Sequence, residues 1–138
     1  MAVEAAVLLT VESFRLRRAD PGRLAKRLGE PLAVERRPRG VAPPPIVDEA
    51  AREAFQRGKR IGRMVERVAG VLPWKPVCLP QALATSAMLR RRGIDHLVQF
   101  GVRTPAEMRS HAWVTVSGWT VVGLRIGEFT PVAAFRRR

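Results

Sequence analysis

Three prolines surround the only cysteine of the chain and determine where a helix can begin near it. They are Pro73, Pro76 and Pro80. Because proline lacks an amide hydrogen and clashes with the turn before it, the two upstream prolines prevent a helix there, whereas the third is tolerated in a first turn. The pattern predicts a helix that Cys78 opens and that continues to Arg92, where Gly93 ends it. Its buried side is predicted to hold Leu79, Ala82, Leu83, Ser86 and Leu89.

Cys78 and a histidine further along the chain form a candidate catalytic pair. The first-turn N–H groups of a helix have no partner inside the helix and the helix dipole is positive there, so a thiolate at Cys78 is favoured. Residues 110–116 alternate as a half-buried strand does, and this strand carries His111. A cysteine and a histidine on separate elements are the usual arrangement for thiol catalysis. The alternative is that Cys78 is an inert thiol of the core.

Three segments after this helix are rich in β-branched and aromatic residues and predict antiparallel strands. They span residues 97–103, 112–116 and 119–124. Ser117 and Gly118 form a short hairpin connection between the last two. His96 is predicted to be a surface or strand-end residue rather than a second catalytic base. A helix packed on a small antiparallel sheet gives an α+β fold.

The first seventy residues predict helices and one proline-rich connection. A short basic helix covers residues 23–28, and a long one covers residues 47–69, where Gly70 ends it. Between them, about residues 30–45 are predicted to be an extended connection. The first helix, residues 3–18, is predicted to bury the side that carries Val3, Ala6, Val7, Thr10, Val11, Phe14 and the stem of Arg18.

These elements divide the chain into an N-terminal helical region, residues 1–71, and a core that holds the candidate pair, residues 72–138. A chain of 138 residues with 46% hydrophobic residues has the length of one domain, so the two parts are predicted to form one compact unit. Residues 1–11 are apolar but contain Glu4 and lack preceding basic residues. We therefore predict neither a signal peptide nor a transmembrane segment.

Charge and cysteine count limit the function classes. A single cysteine cannot form an internal disulfide and supports neither an oxidising compartment nor a structural zinc site, so a cytoplasmic protein without metal or cofactor is expected. The net charge of +13 suggests nucleic-acid binding. However, the arginines are spread along the chain rather than interleaved with aromatics in one segment, so no nucleic-acid partner is expected. A basic binding or scaffold module is the alternative to an enzyme.

The residues around the candidate pair resemble a known family of enzymes. Within about residues 72–123, the matching segments are 74–83, 89–94, 98–103 and 111–114, with the Ser-Gly turn at 117–118 and a weaker match at 128–131. Together they resemble the transglutaminase-like cysteine protease that removes the leader from lasso-peptide precursors. The most specific part is the pair Cys-Leu-x-x-Ala-Leu and His-Ala-Trp-Val at this separation.

The resemblance implies a transglutaminase/papain-like core and a cysteine peptidase that acts on a ribosomally made lasso-peptide precursor. Cys78 would be the nucleophile, and His111 the general base and acid. The Cys78 backbone N–H would stabilise the oxyanion. Trp74 and Trp113 would be candidates for walls of the substrate groove, the alternative being plain packing. Acyl transfer to an amine instead of water stays open.

One position departs from the family's pattern and leaves the triad incomplete. The family usually carries an aspartate about twelve positions after the histidine to orient the imidazole, and this chain has Gly123 there. With the predicted turn, Gly123 or Leu124 would lie across from His111, and neither side chain accepts a hydrogen bond. Asp95 and Glu128 are the candidate substitutes, besides a backbone carbonyl or water. A catalytically degenerate relative is a further alternative.

The resemblance also implies partners. In the family a separate small domain often holds the leader peptide as an added strand. The residues before Pro73 predict no strands from which to build such a domain, so a leader-binding protein is expected in trans, and the lasso cyclase is a further candidate partner. An acidic leader or partner would complement the charge of +13. The stripe of Ile61, Val65 and Val68 is the candidate contact, unless it belongs to the core.

Overall fold

A computed structural model describes residues 1–18, 20–33, 42–102, 110–123 and 130–137 of the chain. The helices are α1 (Ala2–Arg17), α2 (Pro21–Leu28), α3 (Glu49–Val71) and α4 (Cys78–Arg91). The strands are β1 (Glu30–Leu32), β2 (His96–Val102), β3 (Ser110–Val116), β4 (Trp119–Val122) and β5 (Thr130–Arg137). They form one antiparallel sheet in the order β1-β5-β2-β3-β4. This architecture confirms the predicted α+β fold.

The helices begin and end close to the predicted positions, for local reasons. The Asp48 carboxylate caps α3 by accepting from the Ala51 N–H at 2.8 Å. α4 begins at Cys78, and Gly93 after it has a φ of +65°. The prediction that Gly70 ends α3 was wrong, because the helix continues to Val71. A glycine inside a helix costs only about 1 kcal/mol, which the packing of a long helix offsets.

The sheet holds two strands that the sequence patterns did not predict. β1 lies in the proline-rich connection and pairs with β5 through Pro31 and Phe135. β5 lies in the tail, between β1 and β2. Its Pro131 pairs with Gly101 where the register shifts, and such a bulge tolerates a residue that has no N–H to donate. The tail therefore pairs with β2 as far as Arg137.

The β3–β4 hairpin has the predicted two-residue turn but an altered register. Ser117 and Gly118 both have positive φ, as a type I′ turn requires. Thr115 pairs with Thr120, but Val114 pairs with Val122, so a bulge shifts the strands by one residue. Strand positions beyond the bulge therefore face different partners from those an unbroken hairpin would give.

One cluster of buried apolar side chains joins α1, α3 and α4 to the sheet. Its fully enclosed members include Leu9, Val65, Leu89, Val98 and Val114. α3 approaches β4 closely because Gly62 has no side chain. A Cβ there would lie 1.8 Å from the Val121 carbonyl oxygen.

The helix faces turned toward this core differ from prediction in α1. α1 buries the opposite side, with Ala5, Leu8, Leu9 and Glu12, whereas Val3, Val7 and Phe14 are exposed. The buried Glu12 carboxylate accepts two hydrogen bonds from Arg27 Nη2, at 2.6 and 2.7 Å. Because α1 is apolar on both sides, helical spacing alone could not select the buried one.

The stripe on α3 that was the candidate partner contact belongs to the core. Ile61 and Val65 are fully buried, and Val68 is half-buried against the same cluster. Its role as a docking surface was therefore predicted wrongly. Among the described residues, no helix has the length and apolar character needed to cross a bilayer.

Candidate active site

Cys78 is the first residue of α4, as predicted. The N-cap residue Val77 has an extended backbone and no side-chain cap hydrogen bond, and the Gln81 N–H reaches the Val77 carbonyl at 3.3 Å. Pro80 has no N–H, so the Cys78 and Leu79 amides are those of the first turn without a partner inside the helix. The half-buried Cys78 thiol thus lies beside the positive end of the helix dipole.

Gln81 holds the loop that precedes Cys78, a role that the sequence analysis missed. Its side-chain amide donates to the Pro76 carbonyl at 2.8 Å. This bond ties the buried Pro76 to the first turn of α4. The detectable signal was a glutamine three residues after Cys78, a spacing similar to that of a capping box.

The fold brings Cys78 and His111 to the same end of the molecule. α4 and β2 are held side by side by a 2.7 Å hydrogen bond between Ser86 Oγ and His96 Nε2. From Ser86 back to Cys78 the helix covers about 12 Å. From His96 forward to Gly101, β2 covers about 17 Å, and Gly101 pairs with His111 on β3. Both candidate catalytic residues therefore lie at the end where α4 begins and β3 begins.

His111 is the second residue of β3 and is half-buried. Strand alternation sets it on the same sheet face as Trp113 and opposite to Ala112 and Val114, which belong to the core under the helices. The imidazole thus lies near the start of β3, on the sheet face opposite to the one that packs under α4.

Asp95 cannot orient His111, so this candidate was wrong. Asp95 lines two surface depressions of about 400 and 450 Å³, both of which also touch Ser117 at the β3–β4 turn. Ser117 follows His111 by six residues, about 20 Å along a strand. Asp95 therefore lies at the opposite end of the sheet. The other candidate acid, Glu128, is outside the described residues.

Gly123 lies beside β3, but not across from His111 as predicted. A Cβ on Gly123 would lie 2.8 Å from Trp113 Cβ and 2.9 Å from the Ala112 carbonyl oxygen, because the bulge in β4 shifts the register. The other expected partner, Leu124, is outside the described residues. The Gly123 N–H donates to the Glu66 carboxylate on α3 at 3.3 Å. Thus the Glu66 carboxylate of α3 lies against the backbone of Gly123, a contact that no sequence pattern indicated.

The two tryptophans differ in their access to a substrate. Trp74, four residues before Cys78, is 46% exposed. Trp113 is only 5% exposed, so its indole is packed and offers almost no wall to an open groove. Of the two candidates for substrate contact, Trp74 alone has the surface for it.

His96 is engaged in the core and has no position near the thiol. It is the first residue of β2, which confirms the predicted strand-end position, but it is buried instead of lying on the surface. Its Nδ1 donates to the Ile94 carbonyl at 2.8 Å, so in the neutral ring Nε2 accepts from Ser86 Oγ. This pair fixes α4 against β2. Among the described residues, no group of three or more histidine, cysteine, aspartate or glutamate side chains is placed to hold a metal ion.

The comparison with known protein families covers most of the chain, including α4 and β3. A model of the transglutaminase-like superfamily matches residues 7–134 of this chain. Neither a curated protein nor a solved structure matches it. The matched range includes most of α1, all of α4 and the sheet as far as Ala134 in β5.

Proposed function

The chain belongs to the transglutaminase-like superfamily, whose enzymes are in general of the cysteine-protease type, and from this we propose that it is a peptidase with Cys78 as nucleophile and His111 as base. The observation that carries the proposal is the position of Cys78 as the opening residue of α4, at the end of the sheet where β3 brings His111. A thiol, a base and unpaired amide donors are the groups that acyl transfer requires.

The reaction proceeds in two acyl-transfer steps. His111 removes the thiol proton, and the Cys78 sulfur attacks the peptide carbonyl carbon while the Cys78 and Leu79 amides stabilise the oxyanion. The tetrahedral intermediate collapses to a thioester as the imidazolium gives its proton to the leaving amine. His111 then removes a proton from water, which attacks the thioester and releases a carboxylic acid and the free thiol.

The orientation of His111 limits how its imidazole can reach the Cys78 thiol. Since alternation sets its side chain on the face of Trp113, the imidazole has to approach the thiol past the end of the sheet. A hydrogen bond from a base to a nucleophile commonly tightens only when substrate is bound.

We further propose that the substrate is the leader of a ribosomally made lasso-peptide precursor. Support comes from the segments of residues 74–83 and 111–114, which resemble the family's leader peptidase. The net charge of +13 suits an acidic leader or an acidic carrier of it. A leader-binding protein in trans would present the precursor, and the lasso cyclase would take the product.

Thiol reactivity tests the catalytic pair without knowledge of the substrate. The rate of Cys78 alkylation by iodoacetamide at pH 7 is expected to exceed that of glutathione about tenfold or more, because a general base paired with a thiol activates it as a nucleophile. His111→Ala should remove most of this excess, whereas Asp95→Asn, at the opposite end, should leave it unchanged. Alkylation of the wild type no faster than that of glutathione contradicts an activated pair.

Cleavage of a precursor peptide tests the activity itself. Mass spectrometry should show a leader with a free carboxylate, and Cys78→Ala should abolish it while circular dichroism stays unchanged. Hydroxylamine added to the assay distinguishes acyl transfer from hydrolysis. If the thioester reacts with amines in preference to water, the product is a hydroxamate instead of a carboxylic acid. Cleavage by the Cys78→Ala variant would refute the assignment of Cys78 as the nucleophile. An inert thiol in the wild type would instead indicate a binding module or a catalytically degenerate relative.

The partner is tested in the same assay. Adding the leader-binding protein should raise the cleavage rate, more at low than at high salt, since charge attraction mainly accelerates encounter. Efficient cleavage by the isolated chain, unchanged by the added protein, would show that the chain recognises its precursor alone.

A further inference from the structure

α1 carries a second apolar face that points away from the core. Val3, Val7 and Phe14 recur at spacings of four and seven, so they form one stripe, here called the outer face. They are 78%, 55% and 62% exposed, although Ala5, Leu8 and Leu9 on the other side are buried. A helix that is apolar all round is normally covered on all sides. The outer face is therefore that of a helix with a missing neighbour.

The charges around the outer face are unbalanced. Both carboxylates of α1 bind inward, Glu12 to Arg27 and Glu4 to Arg92 at 2.7 Å. The cations at its C-terminal end are exposed, and the Arg17 guanidinium lies 5.8 Å from the centre of the Phe14 ring. Arg18 and Arg15 lie beside them, and Arg15 Nη1 is also 3.7 Å from the Glu12 carboxylate. The outer face thus presents valines toward its start and phenylalanine among cations at its end.

The start of α1 is anchored at the end of α4 that is far from Cys78. Glu4, near the start of α1, binds Arg91 and Arg92 there. α1 packs against α4. From Glu4 to Arg17 the helix covers about 20 Å, close to the length of α4.

We propose that the outer face of α1 binds an amphipathic helix of a partner protein, with apolar side chains along one side and acidic residues at the end that meets Arg15, Arg17 and Arg18. Valines spaced four apart form the shallow ridge that a second helix packs against. The acidic residues of the partner helix supply the negative charge that the outer face lacks, because both carboxylates of α1 bind inward. Binding of the partner helix does not depend on the proposed peptidase function. Only the idea that the partner delivers a substrate to Cys78 rests on that function.

Two other occupants fit the surface less well. A second copy of the chain would bring another +13 charges to a face that is already cationic, and the two would repel. A lipid surface would meet the whole length of α1, whereas the cations flank only its last turn. Both occupants give distinct results in the test below.

The test uses a fluorescein-labelled eighteen-residue helical peptide with leucines at spacings of three and four and glutamates in its first two turns. Its binding to the full-length chain is measured by fluorescence anisotropy. Val7→Asp should weaken binding about tenfold or more, because it places a charge in the middle of the stripe. Val47→Asp is the matched control, since Val47 is 85% exposed and lies before α3, and it should leave binding unchanged.

Peptide variants and other occupants complete the test. A scrambled peptide should bind at least tenfold more weakly, and so should one with lysines for the glutamates. Cys78→Ala should bind as the wild type does, so an inactive enzyme would not obscure the result. The proposal is overturned if Val7→Asp and the wild type bind the peptide equally, or if 200 µM protein gives no anisotropy change (about the weakest binding the assay detects). It is also overturned if the chain binds phosphatidylglycerol vesicles in co-sedimentation more strongly than it binds the peptide. A dimer in sedimentation equilibrium that Val7→Asp dissociates would identify a second copy as the occupant and overturn it as well.

Discussion

At the scale of single residues, Gly123 occupies a backbone position that does not readily accept a side chain. Its φ is +107°, a backbone conformation that side chains disfavour. A Cβ there would also lie 2.8 Å from Trp113 Cβ, closer than such atoms normally approach. The local backbone arrangement therefore requires the glycine.

We expect Gly123→Asp to destabilise the protein by about 2 kcal/mol rather than to improve the enzyme, because strain and overlap add. The free energy of unfolding in urea measures the first effect, and the iodoacetamide rate measures the second. Gly123→Ala should lose a similar amount of stability without adding an acid. A more reactive and equally stable Gly123→Asp variant would contradict this account.

The Glu4 and Arg92 pair predicts a pH dependence of stability. The hydrogen bond from Arg92 lowers the pKa of Glu4 below its ordinary value of 4.5, although partial burial opposes this. A lowered folded pKa stabilises the protein above pH 4.5, and the contribution is lost as pH falls below that value toward the folded pKa. At pH 7 the pair is worth about 0.5 to 1 kcal/mol, since both side chains are partly exposed.

Glu4→Gln should therefore be less stable than the wild type at pH 7, and the difference should shrink below pH 4.5. Urea denaturation of both proteins between about pH 3 and 7, the range in which carboxyl groups titrate, measures this difference in stability. Glu49→Gln is the control, because the ion pair of Glu49 is exposed. A difference independent of pH would mean that Glu4 acts through packing instead of charge.

At the scale of elements, two glycines of α3 have opposite surroundings. Gly62 faces the Val121 carbonyl oxygen of β4, and a Cβ would lie 1.8 Å from it. Gly70 has nothing within 4 Å. The same residue type is therefore required by a close approach in one turn and only tolerated two turns later.

Gly62→Ala should destabilise the protein by about 2 kcal/mol or more, because helix and strand must separate. Gly70→Ala should stabilise it by about 0.5 to 1 kcal/mol, since alanine is the better helix former. Thermal and urea unfolding of the two variants measure both changes. Equal effects of the two substitutions would show that α3 and β4 are not in the close contact described.

At the scale of the whole molecule, the N-terminal region and the core around Cys78 share one sheet and one hydrophobic cluster. β1 pairs with β5, and Leu9 of α1 and Val65 of α3 are enclosed together with Leu89 of α4. Residues 72–138 alone would expose one side of this cluster to water. Burial of such side chains contributes about 1.5 to 3 kcal/mol each.

A fragment of residues 72–138 should therefore lack a cooperative fold, while the full chain unfolds in a single transition. Far-UV circular dichroism and thermal unfolding of both measure this, and the Cys78→Ala full chain controls for oxidation of the thiol. Cooperative unfolding of the fragment would mean that the N-terminal helices are an addition to an independent domain.

The sequence by itself determined the features whose causes are local. Prolines and a glycine set the ends of α4 and so placed Cys78 at a helix start, and alternation placed His111 on a strand. The Ser117-Gly118 turn followed from backbone preferences that those residues carry alone. Local sterics act within a few residues, so a single sequence reveals them.

The tertiary structure decided what depends on distant neighbours. It chose which side of α1 is buried, since both are apolar, and it excluded Asp95 by placing it at the opposite end of the sheet from His111. It also set Glu66 against Gly123 through the approach of α3 to β4. β1 and β5 are strands because each finds an edge to pair with, despite their prolines. Pairing and packing between segments far apart in the chain leave no periodic signal in either segment.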